Sequence, residues 1–319
     1  FAPVQFIPAP AGGPPIAVRE APHGIKVEQA ARETGFPGRI NQVQAQETPA
    51  LFEQRGAEMA LRFGPLEPAQ ARENLDRYVQ HQSVALTTGA RDELQAQTQA
   101  GTRQAVTNFS LGAGPAVATS NLYRQARMAW SEPEPGAPPL EEMQRQSSIQ
   151  LTQNLAAALD VNAADLTHSD PAISGPARAQ FQQRLVDFSA RSVQSPPVQQ
   201  AHQDYAQSVR NYEALGNSVV ISAGNEGELL DLMRADNGGR AIQAPPDFYR
   251  SALSTSETTS VGALTFRDDR TPTVAPYSSG GDGVPVVAYA RAMDGQPGTS
   301  FAAPRVGAFM QHLHQQNPT

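Results

Sequence analysis

The chain contains no cysteine among its 319 residues, so disulfide bonds, thiolate nucleophiles and cysteine-ligated zinc are excluded. Long apolar runs are missing as well, since no stretch approaches the roughly 20 apolar residues that span a bilayer. Basic residues are few, with 24 Lys and Arg against 31 Asp and Glu, and they form no tract that could follow a phosphate backbone. We therefore expect no membrane span and no nucleic-acid partner.

The composition that is present predicts a folded protein rich in loops. Glycine occurs 25 times and proline 27 times, while charged residues make up 17% of the chain, too few for a mainly disordered protein. The length allows one large elaborated domain or two ordinary ones. Four short runs, at residues 106–111, 219–222, 259–263 and 284–288, several of them nearly continuous in apolar residues, are typical of strands in a parallel sheet buried on both faces.

One serine stands out near the end of the sequence. Residues 298–304 read Gly-Thr-Ser-Phe-Ala-Ala-Pro and precede a short apolar run. The glycine permits a tight turn, Thr299 or Ser300 caps a helix, and Pro304 is tolerated in a first helical turn. Taken alone, this run is most simply an N-cap. Its interpretation changes because other segments of the chain accompany it.

The serine run resembles the Gly-Thr-Ser-x-Ala-x-Pro motif of the subtilisin-like serine proteases, the subtilases. Residues 218–227, Ser-Val-Val-Ile-Ser-Ala-Gly-Asn-Glu-Gly, are similar to the family's buried strand that leads into an oxyanion-hole asparagine. Residues 106–112, Val-Thr-Asn-Phe-Ser-Leu-Gly, are similar to its substrate-aligning strand. His23, followed by glycine, resembles the start of the family's histidine helix, although Lys26 replaces the usual second histidine.

This resemblance implies an α/β fold, a three-layer sandwich with a mainly parallel central sheet. Because the sequence between the motifs is longer than a minimal subtilase core needs, we expect large helical insertions at about residues 45–100 and 130–212. Residues 1–22, rich in Pro, Gly and Ala, are expected to form an extended arm with little regular structure. Residues 23–319 would then be the catalytic domain.

The resemblance also implies a serine endopeptidase whose substrate is a peptide or protein. Ser300 would be the nucleophile, His23 the general base, and Asn225 a donor in the oxyanion hole. The residues expected to bind substrate are Ser110, Leu111, Gly112, Ala223 and Gly224. No cofactor is expected. Structural calcium is common in the family, but no calcium site can be assigned to residues of this chain.

The triad carboxylate is the part of the family pattern that the sequence does not supply. In subtilases it precedes the histidine, yet residues 1–22 contain no aspartate, and Glu20 is their one carboxylate. Three explanations compete: a retained upstream fragment carries the aspartate, the chain is a shortened form, or it is a pseudoenzyme that serves as a binding or scaffold module. We favour the retained fragment. The cellular location stays open, with export as the expectation.

A weaker pattern lies at residues 160–170, where Asp160, Asn162, Asp165, His168 and Asp170 could be taken for a calcium loop. The run lacks the glycine and the final glutamate at EF-hand spacing. Helix capping explains the same residue types, so we predict no metal site there.

Overall fold

The computed structural model describes residues 4–7, 16–19, 23–35, 48–112, 114–130, 139–279, 284–292 and 295–316. The helices are α1 (His23–Arg32), α2 (Pro49–Arg62), α3 (Pro68–Gln99), α4 (Pro115–Arg127), α5 (Pro139–Ala158), α6 (Ala163–Leu166), α7 (Pro171–Ser192), α8 (Pro196–Glu213), α9 (Leu229–Asp236) and α10 (Thr299–Gln316). The strands are β1 (Val4–Ile7), β2 (Ile16–Arg19), β3 (Val106–Phe109), β4 (Ser218–Ser222), β5 (Thr259–Phe266), β6 (Pro272–Val274) and β7 (Val286–Tyr289). Short 3₁₀ turns occur at Met128–Trp130 and Pro246–Tyr249.

The central sheet contains the four strands that the apolar runs predict. β4 lies between β3 and β5 with both pairings parallel, and β7 is also parallel to β5. The mainly parallel sheet of the predicted fold class is therefore confirmed. β6 was not predicted; it pairs antiparallel with the end of β5, where Leu264 lies opposite Val274. Its three residues include Pro272, which fits an edge position because proline lacks an N–H for a ladder.

Helices cover both faces of this sheet, which gives three layers. Successive side chains of a strand point to opposite faces, and β4 shows the consequence. Val219 and Ile221 are buried with residues of α3 and α8, including Leu94 and Tyr205. Val220, between them, packs instead against the alanines of α10. The continuous apolar run of β4 is thus used on both faces, as a buried parallel strand requires.

We call α2 to α8 the helical part. Several of its helices have proline at the first or second position, where the missing N–H costs little. These helices are α2, α3, α4, α7 and α8. The predicted helical character of residues 45–100 and 130–212 is seen in α2, α3 and α5 to α8; residues 45–47 and 131–138 lie outside the described residues. The division into a core domain and insertions stays a prediction. Among the described helices, none is both long and apolar enough to cross a membrane.

The first residues contain more regular structure than the sequence led us to expect. β1 and β2 pair antiparallel, with Val4 opposite Arg19 and Ile7 opposite Ile16. Both strands are short, mostly apolar runs, VQFI and IAVR, and runs of four residues are too short to predict pairing. The remaining residues of the predicted arm, including Glu20, lie outside the described residues.

Candidate active site

Three segments meet at the carboxyl end of the parallel sheet. β3 leads into Ser110, β4 leads into Ala223 and Gly224, and α10 begins at Thr299. The carboxyl ends of neighbouring parallel strands lie at the same edge of a sheet, where open α/β folds bind their ligands. The sequence places these segments far apart, and the fold brings them within hydrogen-bonding distance.

Asn225 is fixed on the first turn of α10. Its Oδ1 accepts a hydrogen bond from the backbone N–H of Thr299 at 2.9 Å and another from Thr299 Oγ1 at 3.1 Å. Thr299 is fully buried, and its Oγ1 also accepts the N–H of Gly224 at 3.3 Å. Because the oxygen of the exposed Asn225 amide is held in this way, its Nδ2 is the end that can donate to a ligand. The sequence suggested only helix capping for Thr299, so this buried contact is a finding of the structure.

Ser300 is half-buried in the first turn of α10. Its Oγ lies 3.5 Å from the backbone oxygen of Ser110, while Ser110 Oγ donates to the backbone oxygen of Ser300 at 2.9 Å. The helix begins at Thr299, so Pro304 is its sixth residue and stands in the second turn. The expectation that Pro304 lies in the first turn was therefore wrong. Thr299 and Ser300, which were expected to cap the helix, are already part of it, so Pro304 falls later in the helix.

The turn that carries Asn225 is held by a second pair of polar side chains. Glu226 Oε2 accepts the N–H of Asn225 at 2.8 Å and lies 3.3 Å from Ser279 Oγ. The Ser279 N–H in turn donates to the oxygen of Gly224 at 2.9 Å. Burial raises the pKa of the Glu226 carboxyl above its ordinary value, and Arg124 partly opposes this. Sequence reasoning assigned no role to Glu226 or Ser279, although the run Gly-Asn-Glu-Gly signalled a tight turn.

Gly224 is required in this turn. Its φ is +109°, a conformation that L side chains rarely adopt, and a Cβ there would come within 2.7 Å of Glu226 Oε2 and 2.8 Å of Ser279 Oγ. A side chain at this position would therefore displace the groups that hold Asn225. The sequence indicated a tight turn at Gly224, whereas its contacts with Glu226 and Ser279 could not be inferred from the sequence.

A small pocket lies beside these residues. Three of the five predicted substrate-binding residues line it, namely Gly112, Ala223 and Gly224. Its opposite wall is formed by residues 249–251 and by Val117, whose methyl group would be 3.5 Å from a Cβ at Gly112. Leu111 is half-buried, and its backbone oxygen lies 3.4 Å from Ser222 Oγ. The predicted substrate-binding segments thus form the two sides of one cleft.

His23 is the first residue of α1, and its side chain lies outside the described residues. The position of α1 is nevertheless defined by its later residues. Ala30 is buried with Phe301 and Ala292, and Val27 packs against the same cluster. Lys26, 7% exposed, donates from Nζ to Gln296 Oε1 at 2.9 Å. The helix that begins with His23 therefore lies against the helix that begins beside Ser300.

Arg305 joins α10 to the far end of α1. It forms an ion pair with Glu33, just after α1, and the Arg305 side chain is only 11% exposed. The same guanidinium donates to the backbone oxygens of Tyr289 and Arg291, both at 2.9 Å. This one side chain thus links α10 to the residue after α1 and to the end of β7.

The segment at residues 160–170 is explained by helix capping. Asn162 Oδ1 accepts the N–H of Ala164 at the start of α6, and Asp170 Oδ1 accepts the N–H of Ala172 at the start of α7. Within the described ranges, no group of three His, Cys, Asp or Glu side chains is arranged to hold a metal ion.

The α/β fold and this cleft bring a serine at a helix N-terminus close to the side-chain amide of Asn225. Residues 143–319 match the model of the subtilase family, which is more than half of the chain. The chain belongs to the subtilase family, and its function is of the serine-protease type. The matched region includes Asn225 and Ser300, whereas His23 and Ser110 precede it. No curated protein matches the chain.

Proposed function

We propose that the protein is a serine endopeptidase in which Ser300 is the nucleophile, His23 the general base and Asn225 an oxyanion donor. The observation that carries this proposal is the pair of hydrogen bonds from Thr299 to Asn225 Oδ1, 2.9 and 3.1 Å long. These bonds hold the Asn225 amide beside the first turn of α10, where Ser300 also lies. A preorganised donor next to a nucleophile is the arrangement that acyl transfer requires.

The proposed reaction proceeds in two halves. Ser300 Oγ attacks the carbonyl carbon of the peptide bond and its proton passes to His23. The oxyanion that forms accepts hydrogen bonds from Asn225 Nδ2 and from the Ser300 backbone N–H. The tetrahedral intermediate then expels the amine, which takes the proton from His23, and leaves an acyl group on Ser300. Water, deprotonated by His23, hydrolyses this ester and restores the serine.

The substrate would bind in extended form along Ser110, Leu111 and Gly112 as an added strand. The side chain that precedes the cleaved bond would lie at the small pocket lined by Gly112 and Ala223. A retained upstream fragment would contribute the aspartate that orients His23. β3 ends the described sheet on its outer side, and an unpaired sheet edge of this kind accepts a further strand.

The test is covalent labelling of the native protein with a fluorophosphonate probe, followed by peptide mass spectrometry and by intact-mass analysis after gel filtration. We expect the probe on Ser300, no label in Ser300→Ala, and a small second polypeptide that travels with the chain. A single species with full peptidase activity would contradict the retained fragment. Absence of label from Ser300 would contradict the enzyme.

The alternative function is that of a catalytically impaired scaffold whose helical part binds another protein. One observation favours it: Phe52, Met59 and Phe63, on and just after α2, are each more than half exposed. The spacing of seven residues puts Phe52 and Met59 on one face of α2, and Phe63 follows directly after the helix ends. Unchanged cellular function of Ser300→Ala would favour this alternative over proteolysis.

A further inference from the structure

The helix that carries Ser300 has a gap in its hydrogen bonds at the nucleophile itself. In an α-helix the N–H of each residue donates to the carbonyl four residues earlier. Pro304 lies inside α10 and has no N–H, so it cannot donate to the carbonyl of Ser300. The backbone of the proposed nucleophile therefore lacks the helix bond that would ordinarily hold it.

A side chain from another element fills this gap. Ser110 Oγ donates to the Ser300 carbonyl at 2.9 Å, an ordinary hydrogen-bond length. The Ser110 hydroxyl is itself oriented, because it accepts a hydrogen bond from Asn108 Nδ2 at 2.9 Å. Asn108 lies in β3, opposite Val220 of β4, so the position of this hydroxyl is set by the register of the central sheet.

We infer that Ser110 is a positioning residue that replaces the helix hydrogen bond removed by Pro304 and so fixes the backbone of Ser300. This inference rests on the proposed function, since it assigns Ser110 a role toward the nucleophile. It differs from the substrate-aligning role that the family resemblance implies for the same segment: a strand that pairs with substrate does so through its backbone, whereas here the side chain acts on Ser300.

The two roles predict different kinetics. A misplacement of about 1 Å at a reacting group reduces rate as much as 10²-fold. Loss of the Ser110 hydroxyl leaves Ser300 in place but less restrained, so we expect about a tenfold loss in the rate constant of the covalent step. Binding of the probe before reaction should be unchanged, because the backbone of residues 110–112 is intact. Loss of substrate alignment would instead weaken that binding.

The experiment measures phosphonylation of Ser300 by a fluorophosphonate, in which the Ser300 oxygen–phosphorus bond forms, fluoride leaves and the serine proton passes to the base. Ser110→Ala, Ser110→Thr, Pro304→Ala and the double variant Ser110→Ala/Pro304→Ala are compared with the native protein. Rate against probe concentration separates the binding constant from the covalent rate constant. We expect Ser110→Thr, which keeps a hydroxyl, to retain most of the native rate.

The double variant is the decisive comparison. Pro304→Ala restores an N–H that can donate to the Ser300 carbonyl. Ser110→Ala should therefore lower the covalent rate constant less than about threefold in that background, against about tenfold in the native protein. The inference is overturned if Ser110→Ala lowers the covalent rate constant equally in both backgrounds, or if it changes only the binding constant of the probe.

Failure of the proposed function is distinguished by a second measurement. Melting temperatures of the native protein, the two single alanine variants and the double variant form a cycle that needs no activity. The decrease in melting temperature caused by Ser110→Ala should be smaller in the Pro304→Ala background than in the native protein. If native Ser300 takes no label, the enzyme proposal fails, and this cycle still decides whether Ser110 replaces the helix bond. A strictly additive cycle would show that it does not.

Discussion

The helical part and the sheet with α10 are packed from different kinds of side chain. The core of the helical part contains alanines but also many large residues, among them Tyr78, Tyr123 and Phe181. Where the sheet meets α10, the buried residues are valine and alanine, such as Val220, Ala302 and Ala303. Large side chains keep helix backbones apart, whereas small ones let backbones approach closely enough for short polar groups to meet.

This difference in packing predicts that substitutions in the two regions affect different properties of the protein. The close approach of α10 to the strands allows Asn225, Thr299, Ser110 and Ser300 to bond one another directly. In the helical part, buried polar groups join helices far from the cleft. We therefore expect substitutions in the helical part to change the free energy of unfolding, and substitutions at the sheet with α10 to change the reaction rate or the local geometry.

The largest expected effect compares two asparagines. Asn225→Ala should lower the rate of peptide hydrolysis or of Ser300 labelling about 10²–10³-fold by removing the oxyanion donor, a magnitude taken from a subtilisin. Its side chain is exposed, so the melting temperature should change little. Kinetics and thermal unfolding of the same preparation measure both. A rate within a factor of about ten of the native one would remove Asn225 from the proposed mechanism.

Asn154→Ala is the matched variant in the helical part. Asn154 is 2% exposed, and its Nδ2 donates to the backbone oxygens of Leu61 and Gly64, both at 2.9 Å. Its removal leaves buried groups unpaired and should cost about 2–3 kcal/mol of unfolding free energy with no change in rate at a temperature where the variant is folded. A large rate effect of Asn154→Ala would break the separation between the two regions.

Two glycines sharpen the same comparison. A Cβ at Gly227 would lie 2.4 Å from the backbone oxygen of Ser278 and 2.5 Å from that of Pro276, so Gly227→Ala should destabilise by about 1–3 kcal/mol. Gly56, in α2, has no atom within 4 Å of such a Cβ, and Gly56→Ala should stabilise by about 0.5–1 kcal/mol. Denaturant unfolding of both variants measures the difference. Equal effects would show that close backbone approach does not distinguish the regions.

The smallest expected effect depends on pH. Burial raises the pKa of Glu226 above the ordinary carboxyl value of 4.5, so the folded state binds this proton more tightly than the unfolded chain. The resulting stabilisation is complete below the ordinary pKa and is lost as pH rises through the folded-state pKa. Glu226→Gln avoids that loss, so its unfolding free energy relative to the native protein should rise with pH, by about 1 kcal/mol or less. Denaturant unfolding at several pH values measures this, and a difference that does not vary with pH would contradict the assignment.

The central strands were predictable because each is short and either rich in apolar residues or part of a segment that resembles a subtilase motif. The predicted run at residues 219–222 became β4, Ser218–Ser222, and that at residues 106–111 became β3, Val106–Phe109. β6 was not predicted because its three residues include a proline and are mostly exposed. The helical part was predictable from amphipathic spacing, but the order in which its helices pack depends on contacts that no local pattern records.

The site was predictable in its parts rather than in its contacts. The Gly-Thr-Ser run and the Gly-Asn-Glu-Gly turn singled out Ser300 and Asn225 as candidate site residues, since both motifs are local. The bonds from Thr299 to Asn225 join residues 74 positions apart, and no pattern within either motif specifies them. The pairing of Glu226 with Ser279 was missed for the same reason.

The hydrogen bond from Ser110 to Ser300 joins residues 190 positions apart, across most of the chain. α10 is also the last of the described elements along the chain, so every other described element precedes it. In the proposed mechanism the Ser300 carbonyl gains its partner from Ser110 only when α10 lies against the end of β3. The proposed nucleophile is therefore completed by the docking of the last described helix.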